Sequence, residues 1–276
     1  STVYPGTTGK LNEIARDGGC GIHLAYCPER IAEGHAIAEL HSLPQIVSGC
    51  DPIALEMASS LFCHLTAEIV PLLPVEAELA KMFANSWRYI QFAAANQFFM
   101  IAENHGVDFY RIHEALTHRY PRMAGLPRSG FAAGPCLLKD TMQLAAATNN
   151  NFQLGHAAML VNEGLPDFIV HRLKSRHHLG SLTVGILGMA FKAESDDPRE
   201  SLSYKLRKIL EYEAKRVLSS DEYILDPRFI SAERLVAEAD IIVVGAPHRR
   251  YRTLEIPPGK VLVDIWNVFG RGASVG

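Results

Sequence analysis

An uninterrupted helical pattern of about 30 residues constrains the fold of this chain most strongly. It begins at Pro74, where the missing N–H of proline costs a helix nothing, and it continues to about His105, before Gly106 ends it. At about 1.5 Å per residue this helix would be roughly 45 Å long, which exceeds an ordinary globular helix. The pattern therefore predicts a spine helix that joins two domains and keeps apolar surface for a partner chain.

The C-terminal part of the chain predicts a parallel α/β domain. Its buried strands are expected at residues 182–187, 216–219, 239–245 and 260–265. An amphipathic helix over residues 201–214 can be capped by Ser201. Strands that alternate with helices predict a parallel sheet, and such sheets bind ligands beyond the carboxyl ends of their strands. Gly185 and Gly188 form only a degenerate dinucleotide-binding fingerprint, which is a weak signal alone.

The N-terminal part contains α/β elements without the start of a nucleotide-binding sheet. Helices are expected at about residues 7–15, where Thr7 or Thr8 can act as the cap, and at residues 52–63. Short apolar strands are expected at residues 22–27 and 45–48. No strand with a Gly-rich turn precedes them, so the chain opens in mid-sheet, as the remnant of a larger domain would.

Composition excludes several classes of protein. The formal net charge of −3 implies no general polyanion-binding surface. No apolar run approaches the roughly 20 residues that span a bilayer, and no secretory signal stands at the start. The five cysteines are odd in number and lack CxxC spacing, which predicts reduced thiols in a cytoplasmic protein. The twelve histidines form no HExxH-like pattern, so no metal site is predicted.

Residues 130–143, GFAAGPCLLKDTMQ, carry the most reactive candidate group. Pro135 fits a helix start, which would place Cys136 in the first turn, where free N–H groups and the helix dipole stabilise a thiolate. Lys139 adds a cation within one turn, and Asp140 follows on the same face. For Cys136 alone, a buried cysteine that starts a core helix is the alternative interpretation.

Other polar side chains are candidates for anion or substrate contacts. Lys81 and Asn85 are four residues apart on one face of the spine helix, although a solvated lysine beside a solvated amide is the commoner arrangement. Arg122 lies in a loop and is a candidate anion contact. Lys192 and Arg199 follow the first C-terminal strand, where they could meet phosphates or a ribose, or belong to a solvated charged loop.

Five motifs, taken in order, resemble those of the nucleotide-sugar 6-dehydrogenases, a family that includes UDP-glucose and UDP-N-acetyl-mannosamine dehydrogenases. They are STVYPGTT at the start, CPERIAEG at residues 27–34, ELAKMFANSWRYI around Lys81, GFAAGPCLLKD around Cys136, and GMAFKAESDDPRES from Gly188. Their order and spacing match over nearly all 276 residues. The CPER form and the run NNNFQLGHAAMLVNEGLP resemble the branch that acts on N-acetylated or otherwise varied sugars.

The resemblance implies an α/β protein of three domains. Residues 1–72 would be the remnant of an N-terminal NAD-binding Rossmann domain, whose first strands and GxGxxG turn are missing. Residues 73–176 would form a central helical domain for dimerisation and catalysis, and residues 177–276 a C-terminal Rossmann-like parallel-sheet domain that binds the nucleotide sugar. The chain departs from the family in having GPC where many members have GGxC. It also has Trp266 and Asn267 where some members direct an arginine toward the nucleotide.

The implied activity is the four-electron oxidation of a nucleotide sugar at C6 to a uronic acid, with two NAD molecules and one water, in polysaccharide biosynthesis. Cys136 would attack the intermediate aldehyde to give a thiohemiacetal, and a second hydride transfer would leave a thioester. A covalent tether suits a reaction that does not release the aldehyde, because a thiolate is a strong nucleophile near neutral pH. The sugar, and the choice between UDP and TDP, stay open.

The resemblance also implies roles for side chains around this sulfur. Lys81 would stabilise charge on the sugar oxygen, while Asp140 and Asn85 hold the lysine and a water. Glu29 would be the base for thioester hydrolysis. Thr2 would help position the water and contact the cofactor.

Cofactor and substrate contacts are implied in the same way. Glu33 would approach the nicotinamide, and Arg199 would reach the cofactor from the C-terminal domain. The loop at residues 127–133 would pack on the sugar, and Arg122 would cross to the nucleotide of a neighbouring subunit in a homodimer or larger homo-oligomer. Lys192 would reach the diphosphate. The full set of implied substrate contacts is Lys81, Asn85, Arg122, Phe131, Gly134, Phe191 and Lys192.

Two alternatives stay open at this point. The chain could be an inactive, dimeric fragment that binds a nucleotide sugar but lacks an NAD domain, which an intact-mass measurement would test. It could also be a two-electron dehydrogenase of the 6-phosphogluconate type, which shares the long helix. Cys136 argues against the second alternative, because a single hydride transfer needs no thiol.

Overall fold

The chain folds into two compact units. The computed structural model describes residues 2–31, 34, 36–272 and 275. One unit is formed from residues 1–87 and 139–153, and the other from residues 88–138 and 154–276. Helices α4 (Pro74–Asn104) and α6 (Leu137–Ala147) contribute residues to both units. The 31-residue α4 confirms the predicted spine helix, whereas the predicted division into three domains stays a prediction.

A three-stranded sheet organises the first unit. Strand β1 (Ala25–Tyr26) runs antiparallel to β2 (Gln45–Gly49), and β2 runs parallel to β3 (Ile69–Leu72). The helices that precede β3 in the chain are α1 (Thr7–Asp17), α2 (Ala36–Ser42) and α3 (Pro52–Phe62). The predicted strand over residues 22–27 is reduced to the two residues of β1. No local pattern of residues singled out β3, which is partly exposed and contains a proline.

Helix α1 begins differently from the prediction. Its N-cap is Gly6, with φ +88°, and neither Thr7 nor Thr8 caps it. The hydroxyl of Thr7 donates instead to the carbonyl of Tyr4 at 2.5 Å. The backbone N–H groups of Gly6 and Thr8 donate to the carboxylate of Glu78, at 2.6 and 2.7 Å. A buried carboxylate from α4 therefore replaces the local cap.

A four-stranded parallel sheet organises the second unit, which confirms the predicted Rossmann-like architecture. Its strands are β4 (Thr183–Leu187), β5 (Arg216–Ser220), β6 (Ile241–Val244) and β7 (Val261–Val263), in the order β5-β4-β6-β7. Helices α8 (Leu202–Glu213) and α9 (Ala232–Glu238) form its crossovers. Ser201 caps α8 as predicted, since its hydroxyl accepts from the N–H of Ser203 at 3.3 Å.

Helices also form much of the core of the second unit. Besides its share of α4, the unit contains α5 (Phe109–Thr117), α7 (Gln153–Arg176) and the short 3₁₀ segments Pro121–Met123, Leu179–Ser181 and Arg249–Thr253. Its main apolar cluster includes Phe99, Phe109, Leu165, Ile169, Leu173, Val184, Ile186, Leu206 and Val243. Although α4 and α7 are long, no helix in the described part of the chain combines the length and apolar character needed to cross a membrane.

Two glycines shape the edge of the parallel sheet where strand order switches direction. Gly188 follows β4 with φ +92°, and a Cβ there would lie 2.6 Å from the nitrogen of Ala246. A Cβ at Gly245, which follows β6, would lie 2.4 Å from the carbonyl oxygen of Gly188. The two chain segments approach this closely only without side chains. Crevices at such switch points are the usual ligand sites of open parallel sheets.

Candidate active site

Asp140 is the centre of a polar cluster in the first unit. Its side chain is fully buried, and its Oδ2 accepts from Asn85 Nδ2 at 2.5 Å and from Thr2 Oγ1 at 3.4 Å. The ammonium group of Lys139 contacts Oδ1. A buried carboxylate is costly unless it is paired and hydrogen-bonded, so these donors offset its burial. The structure thus brings together three of the predicted site residues from distant parts of the chain.

Lys81 lies one turn before Asn85 on α4 and contacts Glu29. Its ammonium group donates to the main-chain carbonyl of Glu29, and Nζ lies 4.0 Å from the carboxylate Oε2. The Lys81 side chain is only 13% exposed, which excludes the solvated lysine of the alternative interpretation, whereas Glu29 is 55% exposed. The predicted cofactor contact Glu33 lies outside the described residues.

Cys136 directly precedes helix α6. The helix begins at Leu137, so Cys136 lies just outside the first turn in which it was expected. The thiol is exposed, which excludes a buried core cysteine and leaves the sulfur accessible to a small molecule. Asp140 follows it in the first turn of the same helix.

The loop that leads to Cys136 is held by a buried pair of asparagines that sequence analysis missed. Asn96 on α4 donates to the carbonyl of Gly130 at 2.9 Å and accepts from its N–H at 2.8 Å. Asn96 also donates to Asn162 on α7 at 2.9 Å. The only sequence signal is an asparagine within each of two apolar helical stretches, AAANQ and AAMLVNE. Phe131, the next residue of the loop, lies in the core, so its contact with a sugar stays a prediction.

Gly134 brings this loop against the loop that follows β4. It has φ +103°, and a Cβ there would lie 2.6 Å from the ring of Phe191. Its N–H donates to the carbonyl of Glu200 at 3.4 Å. Beside it, the ammonium group of Lys192 lies 5.4 Å from the centre of the Phe191 ring. Gly134, Phe191 and Lys192, all predicted substrate contacts, are therefore neighbours in the second unit.

The two predicted arginines lie on exposed parts of the second unit. The guanidinium of Arg199 donates hydrogen bonds to both carboxylate oxygens of Asp197, at 2.6 to 3.0 Å. The side chain of Arg199 is 71% exposed. Arg122 lies over the ring of Tyr120, 5.8 Å from its centre, and donates to its hydroxyl at 3.3 Å. Their predicted roles at a cofactor and at a neighbouring subunit stay predictions.

The loop after β4 is anchored on Asp221, which sequence analysis also missed. Asp221 follows β5 and is buried, and its Oδ2 accepts from the N–H groups of Met189 at 2.6 Å and Ala190 at 3.0 Å. The Nε2 atom of His248 lies 3.2 Å from the same oxygen. Burial alone raises the pKa of Asp221, but the hydrogen bonds from His248, from Tyr223 N–H and from these two backbone groups outweigh it and lower the pKa to about 2.

This pKa predicts a loss of stability in acid. Because the pKa of Asp221 is lower in the folded state, its stabilisation is present above about pH 4 and is lost as the pH falls toward about 2. The loss should be roughly 2 kcal/mol of unfolding free energy. Chemical denaturation measures the unfolding free energies of the wild type and of Asp221→Asn. The difference between these two free energies should become smaller as the pH falls from about 5 to about 2. Asp196→Asn, an exposed change in the loop after β4 that Asp221 anchors, is the control. A difference in unfolding free energy between the wild type and Asp221→Asn that is constant with pH would contradict the assignment.

Comparisons with known proteins assign this chain to a family. A model of the central domain of the UDP-glucose/GDP-mannose dehydrogenase family matches residues 75–164. A model of the UDP binding domain of the same family matches residues 185–271, so the two together cover more than half of the chain. The chain belongs to the UDP-glucose/GDP-mannose dehydrogenase family. The resemblance carried by the five sequence motifs is thereby confirmed.

The relatives of this chain include dehydrogenases that are named for N-acetylated sugars. The chain is 29% identical to UDP-N-acetyl-D-mannosamine dehydrogenase of Methanocaldococcus jannaschii over 98% of its own length and 66% of that protein. It is 26% identical to NDP-N-acetyl-D-galactosaminuronic acid dehydrogenase of Ralstonia solanacearum, over 88% of its own length and 60% of that protein. The chain therefore spans about two-thirds or less of the length of these relatives.

Solved structures of family members have the same fold. The UDP-D-ManNAc dehydrogenase of Pyrococcus horikoshii superposes with a TM-score of 0.87 at 26% identity, over 100% of this chain and 68% of that one. A UDP-glucose dehydrogenase from Pyrobaculum islandicum gives a TM-score of 0.84 at 26% identity, over 100% of this chain and 66% of that one. The α/β architecture with a helical centre is thus shared with nucleotide-sugar dehydrogenases.

Two helices of the first unit do not offer a free N-terminus to the NAD that the family implies. Helix N-termini bind the pyrophosphate of dinucleotides, but the N-terminus of α1 is already filled by the carboxylate of Glu78. At α3, Asp51 accepts from the N–H of Ala54 at 2.8 Å and is also bound to His23 at 3.1 Å. Because carboxylates occupy both positions, neither helix fits a pyrophosphate.

Proposed function

We propose that this chain provides the sugar-nucleotide-binding and covalent-catalysis part of a nucleotide-sugar 6-dehydrogenase. The substrate class is a UDP- or TDP-linked hexose or N-acetylhexosamine, oxidised at C6 to the uronic acid. The observation that carries the proposal is the exposed thiol of Cys136 directly before the helix in which Asp140 is bound by Asn85 and Thr2. Relatives with enzyme names for such sugars support it.

The proposed role of Cys136 follows from the chemistry of a four-electron oxidation. Loss of a hydride and a proton converts the C6 alcohol to an aldehyde, and the thiolate adds to its carbonyl carbon, forming a C–S bond and a thiohemiacetal. Loss of a second hydride from carbon and of the hydroxyl proton gives a thioester, and attack by water breaks the C–S bond, releasing the carboxylic acid and the thiol. Two molecules of NAD, the proposed acceptor, would each supply the capacity for one of the two hydrides.

The polar cluster of the first unit is suited to the charges that develop in this sequence. We assign to Lys81 the stabilisation of negative charge on the C6 oxygen, which a nearly buried ammonium group performs better than a solvated one. Glu29, beside it and half exposed, can take a proton from the hydrolytic water. The Asp140, Asn85 and Thr2 cluster would orient that water and the lysine.

We assign nucleotide binding to the carboxyl edge of the parallel sheet. Phe191 offers an apolar ring next to Gly134, and Lys192 supplies a cation for the diphosphate. Arg199 and Arg122 are exposed cations that can extend these contacts to a cofactor or to a neighbouring subunit. A family model for a UDP binding domain that covers this edge supports the assignment.

Titration with UDP and with TDP tests the nucleotide site without any turnover. Lys192→Ala should weaken binding about tenfold, because it removes a charge-assisted contact to phosphate. Lys208→Ala is the matched control, since it removes the same charge from an exposed position on α8. Isothermal calorimetry on the 276-residue chain measures both. Equal affinities for the two variants would contradict the role of Lys192.

One observation favours a second function for this chain on its own. The N-termini of α1 and α3 are filled by carboxylates, so neither of these two helices supplies a pyrophosphate site. The chain could therefore bind a nucleotide sugar without oxidising it. Intact mass of the purified protein, followed by NADH absorbance with a panel of nucleotide sugars, distinguishes the two functions.

The cytoplasmic location inferred from the cysteines stays a prediction.

Assembly into a homodimer or larger homo-oligomer is part of the proposal. Helix α4 keeps large apolar side chains at its surface, and those exposed by 45% or more are Phe83, Trp87, Phe98 and Ile101. Apolar side chains of this size along a long helix are typical of surfaces that a partner covers. Sedimentation of the 276-residue chain would test this.

A further inference from the structure

His248 joins two loops at the carboxyl edge of the parallel sheet. It follows β6 and is fully buried. Its Nδ1 accepts from the N–H of Glu194 at 3.0 Å, and its Nε2 lies 3.2 Å from Oδ2 of Asp221. Since Nδ1 accepts a hydrogen bond, the ring proton must lie on Nε2 and point to the carboxylate. The two neighbours therefore select one tautomer of the imidazole.

The segment that His248 holds includes a residue in a backbone conformation that is uncommon for residues other than glycine. Glu194 has φ +55°, in the left-handed region that few residues other than glycine enter. Its carboxylate accepts from the N–H of Arg249 at 2.8 Å and from the hydroxyl of Tyr223 at 3.0 Å. The hydrogen bond from its own N–H to His248 completes this set. Glu194 is thus fixed from both β5 and β6, at their carboxyl ends.

The fixed segment is the one that carries the proposed nucleotide contacts. Lys192 precedes Glu194 by two residues, and Phe191 precedes it by three. On the other side of the loop, the N–H of Phe191 donates to the carbonyl of Asp197 at 3.1 Å, which closes the turn around Glu194. A shift of Glu194 would therefore move Lys192 with it, while Met189 and Ala190 would stay bound to Asp221.

We propose that His248 is a positioning residue for nucleotide binding: through Nδ1, it holds Glu194 in the left-handed conformation that presents Phe191 and Lys192 to a nucleoside diphosphate. The inference rests on the proposed function of this edge. His248 itself need not contact the nucleotide, because it is fully buried. Its contact with Asp221 fixes the tautomer of the imidazole, and its contact with Glu194 fixes the conformation of the loop after β4.

Two substitutions at this position separate the two hydrogen bonds. In His248→Asn, the side-chain oxygen can replace Nδ1 as the acceptor for Glu194, but the side chain is too short to reach Asp221. In His248→Gln, the amide can replace Nε2 as the donor to Asp221, but no acceptor remains at the position of Nδ1. We expect UDP binding, measured by calorimetry, to weaken about tenfold in the Gln variant and about threefold in the Asn variant.

The outcomes distinguish positioning from packing. A general loss of packing would weaken both variants alike, and that result, or an unchanged affinity in both, would overturn the role of Nδ1. Tyr223→Phe, a change at a partly exposed residue, removes one hydrogen bond to Glu194 and should weaken UDP binding about threefold even if the Gln variant does not fold. An unchanged affinity in Tyr223→Phe would also count against the proposal. Wild-type protein that binds no UDP would refute the nucleotide site itself.

Discussion

Cys136→Ser should abolish formation of the uronic acid, lowering its rate by at least about a thousandfold. The serine hydroxyl has nearly the size of the thiol but is not ionised near neutral pH, so it does not hold the aldehyde as a covalent adduct. The full-length wild-type protein should form two NADH per sugar, whereas the full-length variant should form no acid. Absorbance of NADH and mass spectrometry of the sugar product measure the two quantities separately.

The chain offers a matched control for this substitution. Cys63 is also exposed, so Cys63→Ser repeats the chemical change away from the proposed site and should leave acid formation unchanged. Acid formation by Cys136→Ser at the rate of the wild type would refute the nucleophile assignment. If the wild type itself forms no NADH with any nucleotide sugar, the binding function without turnover is favoured instead.

Alkylation gives a second measure of Cys136 that needs no hydride acceptor. The thiols of Cys20, Cys63 and Cys136 are all exposed and should react with iodoacetamide. A bound nucleotide sugar should slow the alkylation of Cys136 and leave the other two unaffected, which peptide mass spectrometry can follow. Equal rates with and without the nucleotide sugar would place Cys136 away from the substrate.

Features that depend on neighbours in the chain could be predicted from the sequence. The hydroxyl of Ser201 accepts from an N–H two residues ahead, so composition and spacing sufficed to locate the start of α8. The parallel sheet was predictable for the same reason, because its strands are continuous apolar runs. The recognisable motifs also identified the Asp140 cluster, although its members lie far apart in the sequence.

Features that depend on distant partners could not be predicted. The hydrogen bond between Asn96 and Asn162 joins residues 66 apart, and that between Asp221 and His248 joins residues 27 apart. No periodicity links such positions, and each residue alone is equally compatible with a solvated surface. Strand β3 was missed for a related reason. Among the described residues it pairs with β2 alone, and a partly exposed strand with a proline lacks a clear local signal.

The Asn96 side chain should be among the most important single groups for stability. Asn96→Leu fills a similar volume but leaves the N–H and carbonyl of Gly130 and the amide oxygen of Asn162 without their partner. Each buried polar group left without a hydrogen bond costs about 1–3 kcal/mol. We therefore expect the unfolding free energy to fall by roughly 3–5 kcal/mol, as measured by urea denaturation.

Gln97→Leu provides the comparison, because it makes the same kind of change on the next residue of α4, which is exposed. Its effect should stay within about 0.5 kcal/mol. Since Asn96 holds both main-chain groups of Gly130, Asn96→Leu should also free the loop that leads to Cys136, and trypsin should cleave after Arg128 faster than in the wild type. A similar stability for the two variants, with no change in cleavage, would show that the buried asparagine pair does not hold this loop, and the geometry proposed for Cys136 would lose its support.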